Sequence, residues 1–263
     1  MDLQLLEKLA LVSGSTAGIG YSIAETLAAE GARVIVNGRT QPGVDAALAS
    51  IRKATGKDAI GFAGDLSDAA VAEALVRKHP GIEILVNNLG IFEAKSFEDI
   101  PDADWVRFFE VNVLSGARLA RLVLPAMRRA NWGRIIFISS ESGMHIPAEM
   151  VHYGMTKAAQ IAIARGIAES VAGTGITVNS VLPGPTRSRG VGDFVESLAR
   201  EQRKPAAQVE KEFFAHVRPT SLIRRFSTTQ EVAAMVAYIS SPLASSTTGA
   251  ALRVDGGTVK SAF

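Results

Sequence analysis

The tightest constraint on the fold lies at the amino end, where an apolar run from Lys8 to Ser13 passes directly into Gly14-Ser-Thr-Ala-Gly18-Ile-Gly20. A helical pattern from Tyr21 to Glu30 follows, and a second apolar run from Ala32 to Asn37 comes after it. A strand that turns through glycines into a helix makes an anion site. Small residues let backbone N–H groups come close to a phosphate, and the helix amino terminus favours its charge. A glycine-rich turn by itself is commonly just a turn; the flanking strand and helix are what favour a cofactor loop here. The gap between Gly14 and Gly18 is wider than in the tighter G-x-G-x-x-G loop.

A second stretch carries the chemistry. Arg134 to Ile138 is an apolar, β-branched run that reads as a buried strand and ends in Ser139-Ser140. A hydroxyl is thereby delivered at the carboxyl end of a strand, where open α/β sheets bind their ligands. Tyr153 and Lys157 stand four residues apart at the head of an Ala-rich helical pattern, so both project from one face. A free tyrosine titrates near pH ~10, and the neighbouring ammonium is expected to draw Tyr153 down toward the working pH, where it can act as acid or base. The pair alone also fits a solvated helix face, and it gains meaning only beside a dinucleotide site.

Taken together, Gly14 to Gly20, Asn87-Asn88-Leu89-Gly90, Asn112, Ser140, Tyr153-x-x-x-Lys157 and Pro183-Gly184 give the chain a resemblance to the short-chain dehydrogenase/reductase family, in family order and over nearly the whole length. Its 3-oxoacyl-[acyl-carrier-protein] reductase branch is the nearest in look. The resemblance implies a Rossmann-type doubly wound parallel sheet of about seven strands with helices on both faces, in one domain spanning 1–263. It also implies a catalytic set of Asn112, Ser140, Tyr153 and Lys157. Ser140 would hydrogen-bond a carbonyl, Tyr153 would exchange its proton, and Lys157 would support both the phenol and the nicotinamide ribose. Asn112 would leave its backbone carbonyl free to hold a water beside the lysine. The cofactor contacts implied are Gly14, Ser15, Thr16, Gly18, Ile19, Gly20, Asn88, Gly90, Val111, Tyr153, Lys157, Pro183, Gly184 and Thr186, with Arg39, Asp65 and Leu66 around the adenosine. Two departures stand out: Ser13 replaces the usual Thr, and Leu89 replaces an Ala, placing bulk near the nicotinamide ribose.

Cofactor choice turns on the end of the second strand. NAD-preferring relatives carry an acidic residue where Gly38 stands, and without it Arg39 can pair with a 2′-phosphate through a charge-assisted contact. This favours NADP(H) over NAD(H), although Arg39 also fits a merely exposed charge and Ala17 lacks a second basic contact. Further along, Ala59 to Ala63 reads as a strand, and Ser67 or Asp68 can cap the helix after it. Ile82 to Val86 is a fourth strand candidate. One long helix is expected from Asp102 to Arg129; with the helix after Tyr153 it resembles the pair that builds a four-helix interface in tetrameric relatives, so a homotetramer or dimer is implied. Ile176 to Val181 and Ala250 to Val254 are the last strands, with a helix from Gln230 to Ser240 between them. The polar stretch 187–219, dotted with Phe194, Val195, Leu198, Phe213 and Phe214, fits a helical lid over substrate.

Composition excludes much else. The 28 basic and 26 acidic residues nearly balance, which argues against nucleic acid as a partner. With no cysteine there is no disulfide or thiolate chemistry, and the four histidines show no metal-ligand spacing, so no metal is expected. His145 and His152 read as polar loop residues. No apolar run approaches ~20 residues and the first residues lack a signal pattern, so a cytoplasmic protein with no membrane partner is the expectation. The substrate is expected to be a small carbonyl or alcohol compound. Met144, His145, Met150 and Phe92 are candidate pocket walls, and Glu141 either repels an anionic substrate or faces away. The competing functions are a non-catalytic NADP(H) sensor and an NAD-dependent alcohol or sugar dehydrogenase.

Overall fold

The computed structural model describes residues 1–188, 191–192, 199–201 and 204–262. Its centre is a parallel sheet of seven strands: β1 (Leu9–Val12), β2 (Arg33–Gly38), β3 (Ile60–Ala63), β4 (Ile84–Asn87), β5 (Gly133–Ile138), β6 (Ile176–Pro183) and β7 (Ala251–Val254). The strands lie in the order β3-β2-β1-β4-β5-β6-β7. Winding proceeds outward from β1 to β3, returns to β4 on the other side of β1, and continues outward to β7. The chain ends of β1 and β4 therefore diverge at a switch point, where an open α/β sheet forms its crevice. Register is carried across by pairs such as Val12 with Val36, Val12 with Val86, and Ile138 with Val181.

Alternation along the strands divides the core in two. Ala10, Val12, Val34, Val36, Ile84 and Val86 face one layer, together with α1 (Gly18–Ala29), α2 (Gln41–Thr55) and α8 (Thr229–Ser240). Leu11, Ile35, Leu85, Ile135 and Phe137 face the other, with α3 (Ala69–Lys78), α5 (Ser115–Ala130) and α6 (Val151–Ser170). This is the two-faced burial expected of a parallel sheet covered by crossover helices. Local signals set the helix ends. Asp68, of the two candidates, caps α3 by accepting from the N–H groups of Ala70 and Val71, and Thr228 with Glu231 closes a capping box on α8.

The expected long helix is present, running continuously from Asp102 to Ala130, but it widens at its middle. α4 (Asp102–Phe109) and α5 are joined by one wide π-helical turn, Glu110–Leu114. The cause is tertiary: the Asn112 side chain is tied to both backbone groups of Ile91, donating to its carbonyl at 2.9 Å and accepting from its N–H at 2.7 Å, and it also donates to Thr156 Oγ1 at 3.0 Å. His152 also departs from expectation. It is a fully buried residue of α6, with its ring 4.1 Å from Phe108 and 6.1 Å from Trp105, centroid to centroid. In the segment after β6, α7 (Ala206–Glu212) leads into a second wide turn, Phe213–Val217. Phe214 and Phe226 are buried together there, whereas Phe194, Val195 and Leu198 lie outside the described residues.

Candidate active site

The cleft at the carboxyl ends of the strands encloses about 740 Å³ and runs from the head of α1 to the turn after β6. Its floor begins at Ala17, Gly18 and Ile19, where no side chain caps α1. The first N–H groups of that helix are therefore available to an anion, with the positive end of the helix dipole behind them. The turn is held by side chains from neighbouring strands. Asn88 Nδ2 donates to the carbonyls of Ser13 and Gly14, each at 3.0 Å, and Ser13 Oγ accepts from the N–H groups of Asn88 and Leu89. The hydroxyl of Ser13 thus does the joining, which explains why Ser serves in place of Thr. Gly20 is sterically obligatory, since a Cβ there would lie 2.4 Å from Asn88 Nδ2 and 2.6 Å from the Gly14 carbonyl.

Not every expected cofactor residue presents its side chain. Ser15 is buried, donating to the Val12 carbonyl and accepting from Asn37 N–H, so it builds the loop. Leu66 lies wholly in the core, which leaves only its backbone to border a ligand. Asp65 is exposed and folds onto Ser67, accepting from both its N–H and its hydroxyl. Val111 is in the wide turn outside the cleft lining. Leu89 packs beside Gly14 against the core layer of α3, α5 and α6 and is not among the cleft-lining residues. Arg39 lies outside the cleft lining, exposed after β2, and has no hydrogen bond or ion pair among the described residues. A Cβ on Gly38 would stand 2.4 Å from the Thr16 methyl, so Thr16 occupies the space an acidic side chain at 38 needs.

The reacting end gathers three of the four expected catalytic residues, and the fourth, Asn112, stands behind the lining. Ser140 follows β5, Tyr153 and Lys157 project from the first turns of α6, and Ser140, Tyr153, Lys157 and Gly90 all line the cleft, with Pro183, Gly184 and Thr186 opposite. Lys157, 5% exposed, has its Nζ 5.5 Å from the Tyr153 ring centre and donates to the Ile138 carbonyl at 2.9 Å. Burial lowers its ammonium to about 8, with Glu141 opposing that fall. The Tyr153 phenol moves opposite to the sequence-based expectation. Burial first, and then the charge of Glu141, push it well above the ordinary tyrosine value, while the Ser140 hydroxyl works the other way.

The Asn112 carbonyl is not free. Gln160, one turn after Lys157, donates to it from Nε2 at 2.5 Å and accepts from Lys157 Nζ at 3.2 Å, so an amide stands where a water was expected. Glu141 does not face away. It is 5% exposed, lines the cleft, and accepts the Ser140 hydroxyl at 2.5 Å. Arg218 approaches both Glu141 (3.7 Å) and Glu149 (3.6 Å). Phe92, Met150 and Phe213 form apolar wall, whereas Met144 and His145 are exposed outside the lining. Gln160, Arg218 and Phe226 are among the site residues that sequence reading missed. For Gln160 a signal existed, a polar residue three positions after Lys157 on its own helix face; Arg218 and Phe226 gave none.

A family model described as "Enoyl-(Acyl carrier protein) reductase" matches residues 14–259. The chain belongs to the short-chain dehydrogenase/reductase family. As a member of this family it is an oxidoreductase acting on hydroxyl or carbonyl groups. Among its relatives, the uncharacterized oxidoreductase YvaG of Bacillus subtilis is 45% identical over 265 residues, covering 100% of both chains. The D-beta-hydroxybutyrate dehydrogenase of Cupriavidus necator is 36% identical over 257 residues, covering 96% of this chain and 98% of its own. Among solved structures, L-sorbose reductase from Gluconobacter frateurii, complexed with NADPH and L-sorbose, superposes with a TM-score of 0.93 at 28% identity, covering 99% and 100% of the two chains. The uncapped α1 terminus and the side-chain-poor lining beside it fit the nicotinamide dinucleotide used across this short-chain dehydrogenase/reductase family.

Proposed function

We propose that the chain is an NADP(H)-dependent carbonyl reductase with Tyr153 as proton donor. The observation that carries this reading is the convergence of Ser140, Tyr153 and Lys157 at the end of β5, in one cleft with the open terminus of α1. When bound, the dinucleotide supplies the hydride. The α1 terminus and its glycines would hold the pyrophosphate, and Arg39 the 2′-phosphate. Selection of NADPH is supported by the free guanidinium of Arg39 and by Thr16, which fills the place of a carboxylate at 38. The cofactor recorded with the L-sorbose reductase points the same way.

Each residue has a role that the geometry permits. Tyr153 donates its proton to the carbonyl oxygen as charge develops there, and its raised pKa keeps it protonated until then, which suits reduction. Lys157, mainly charged below about pH 8, stabilises the phenolate that results. Asn112 and Gln160 hold the Lys157 ammonium from behind through the bonds described. Oxidation of a secondary alcohol is the same path reversed. Val106, Phe109 and Leu114, 57%, 44% and 39% exposed, leave apolar surface along α4 and the wide turn after it and support a homo-oligomer, with the tetramer as our reading. No helix among the described residues is long and apolar enough to cross a membrane, and a cytoplasmic enzyme is our reading.

The test is a panel of ketones, hydroxyketones and 3-oxo esters followed by loss of NADPH absorbance, with Tyr153→Phe as control. Turnover in the unmutated protein alone is the expected result. NADPH binding without turnover on any carbonyl would leave the chain a cofactor-binding sensor.

A further inference from the structure

Ser140 is not ready to donate. A hydroxyl has one proton and two lone pairs; Ser140 directs its proton at Glu141 Oε2 and accepts from the Ser142 N–H at 3.1 Å, so it can donate to the neighbouring Tyr153 phenol only by leaving Glu141. To hydrogen-bond a substrate carbonyl, the hydroxyl must turn away from Glu141. That step would strip a buried carboxylate oxygen of its donor, and leaving such a group unpaired is costly. The nearest cation, Arg218, faces the other oxygen, Oε1, at 3.7 Å and is shared with Glu149, so it does not make up the loss.

From this we infer that Glu141 selects substrates carrying a hydroxyl on the carbon next to the carbonyl, as α-hydroxyketones and ketoses do. The inference rests on the carbonyl-reductase reading above and names the substrate class of that same site. The substrate hydroxyl replaces Ser140 as donor to Glu141, and Ser140 is released to donate to the carbonyl oxygen. The geometry suits the exchange. Ser140 Oγ and Glu141 Oε2 are 2.5 Å apart, so two oxygens on adjacent carbons can address both at once, as a lone ketone cannot. Charge supports it as well. Glu141 and Glu149 share one guanidinium on this wall, and the other carboxylate of the lining, Glu93, is already paired with Arg107 and Lys95. A substrate carboxylate placed against Glu141 therefore meets a like charge on this wall, with Lys157 the cation beside it in the cleft, while a neutral hydroxyl meets an acceptor.

The test compares three substrates of equal chain length, 1-hydroxy-2-butanone, 2-butanone and 2-oxobutanoate, with NADPH, in the unmutated protein, Glu141→Gln and Glu141→Ala. Thermal melts establish that each variant is folded. An α-hydroxyl also activates a carbonyl intrinsically, so the deciding quantity is the change in the kcat/KM ratio on substitution. The hydroxyketone should exceed the ketone by about tenfold or more in the unmutated protein, and the ratio should fall by about tenfold in Glu141→Ala. Glu141→Gln keeps an acceptor oxygen and should retain part of the ratio while 2-oxobutanoate improves. A ratio unchanged by Glu141→Ala, or 2-oxobutanoate as the best substrate of the unmutated protein, overturns the inference. A second arm needs no turnover: saturation-transfer NMR of 1,2-butanediol and 2-butanol with the NADP⁺-loaded protein. If no carbonyl is reduced, the reductase reading fails; a diol preference lost in Glu141→Ala still sustains Glu141 as a hydroxyl site, and equal binding of the two alcohols removes it.

Discussion

The two ends of the cleft are made of different material. Around α1 the surface is backbone and small side chains, fixed by polar residues such as Ser13, Asn37 and Asn88 that bond the chain to itself. Around Ser140 the surface is side chains from distant parts of the sequence, several of them charged and buried. The pyrophosphate is common to NAD(H) and NADP(H), so a rigid backbone site suffices for it. Substrates vary, and variation is cheapest in side chains and in the segment after β6. The difference separates what the family fixes from what this chain chooses.

That contrast predicts substitutions that move one half and leave the other still. The largest effect falls on Tyr153→Phe, which removes the proposed proton donor. The kcat should fall ~10²- to 10⁴-fold while NADPH affinity, followed by fluorescence titration, is held. An unchanged kcat on an active substrate excludes the donor role. Next comes Arg39→Ala at the cofactor end. Loss of one charge-assisted contact of about 1.5 to 3 kcal/mol weakens NADPH roughly ten- to a hundredfold, leaving NADH binding and the substrate ranking as they were. Comparable affinity of the unmutated protein for both dinucleotides would remove the basis for this assignment.

Phe213→Ala probes the opposite end. Phe213 lines the cleft and stacks on Phe226, with centroids 5.1 Å apart. Trimming it should shift KM by about tenfold among carbonyl substrates with NADPH affinity nearly constant, and amide exchange across the described residues 204–219 should slow when cofactor and substrate are both bound. Equal exchange in both states and an unchanged ranking would make the segment fixed structure. The smallest effect near neutrality belongs to Lys157, which borders both halves. Its ammonium is charged below about 8 and loses its proton above that value. The kcat of reduction should therefore be level below pH 8 and decline above it. A rise across that interval contradicts the role given to the ammonium.

Which features could be read from the sequence follows the same division. The strand, glycine turn and helix at the amino end are local patterns, and their placement, with that of Ser140, Tyr153 and Lys157, needed no tertiary knowledge. The wide turn at Asn112 did, because it depends on bonds to Ile91, in the loop after β4, and to Thr156, on α6. His152 was misread because its burial comes from Phe108, on another helix. The Tyr153 shift was misjudged in sign because sequence supplies the charge of Lys157 but not the depth of the phenol or the side on which Glu141 lies. Arg218 joins Glu141 across 77 residues of chain, counted from 141 to 218, and no periodicity announces such a pair.

The contact between Gly38 and Thr16 bears on how the protein can change over generations. A Gly38→Asp exchange, the simplest route to NAD preference, sets a new Cβ 2.4 Å from the Thr16 methyl, so that position 16 has to yield before the carboxylate can seat. The effects of the two positions are then coupled and do not add. A lineage that reaches Thr16→Ser first removes the obstructing methyl before the carboxylate arrives, whereas one that begins at 38 starts from a strained loop. Mutational order, and not only mutational outcome, is written into the packing of the first two strands.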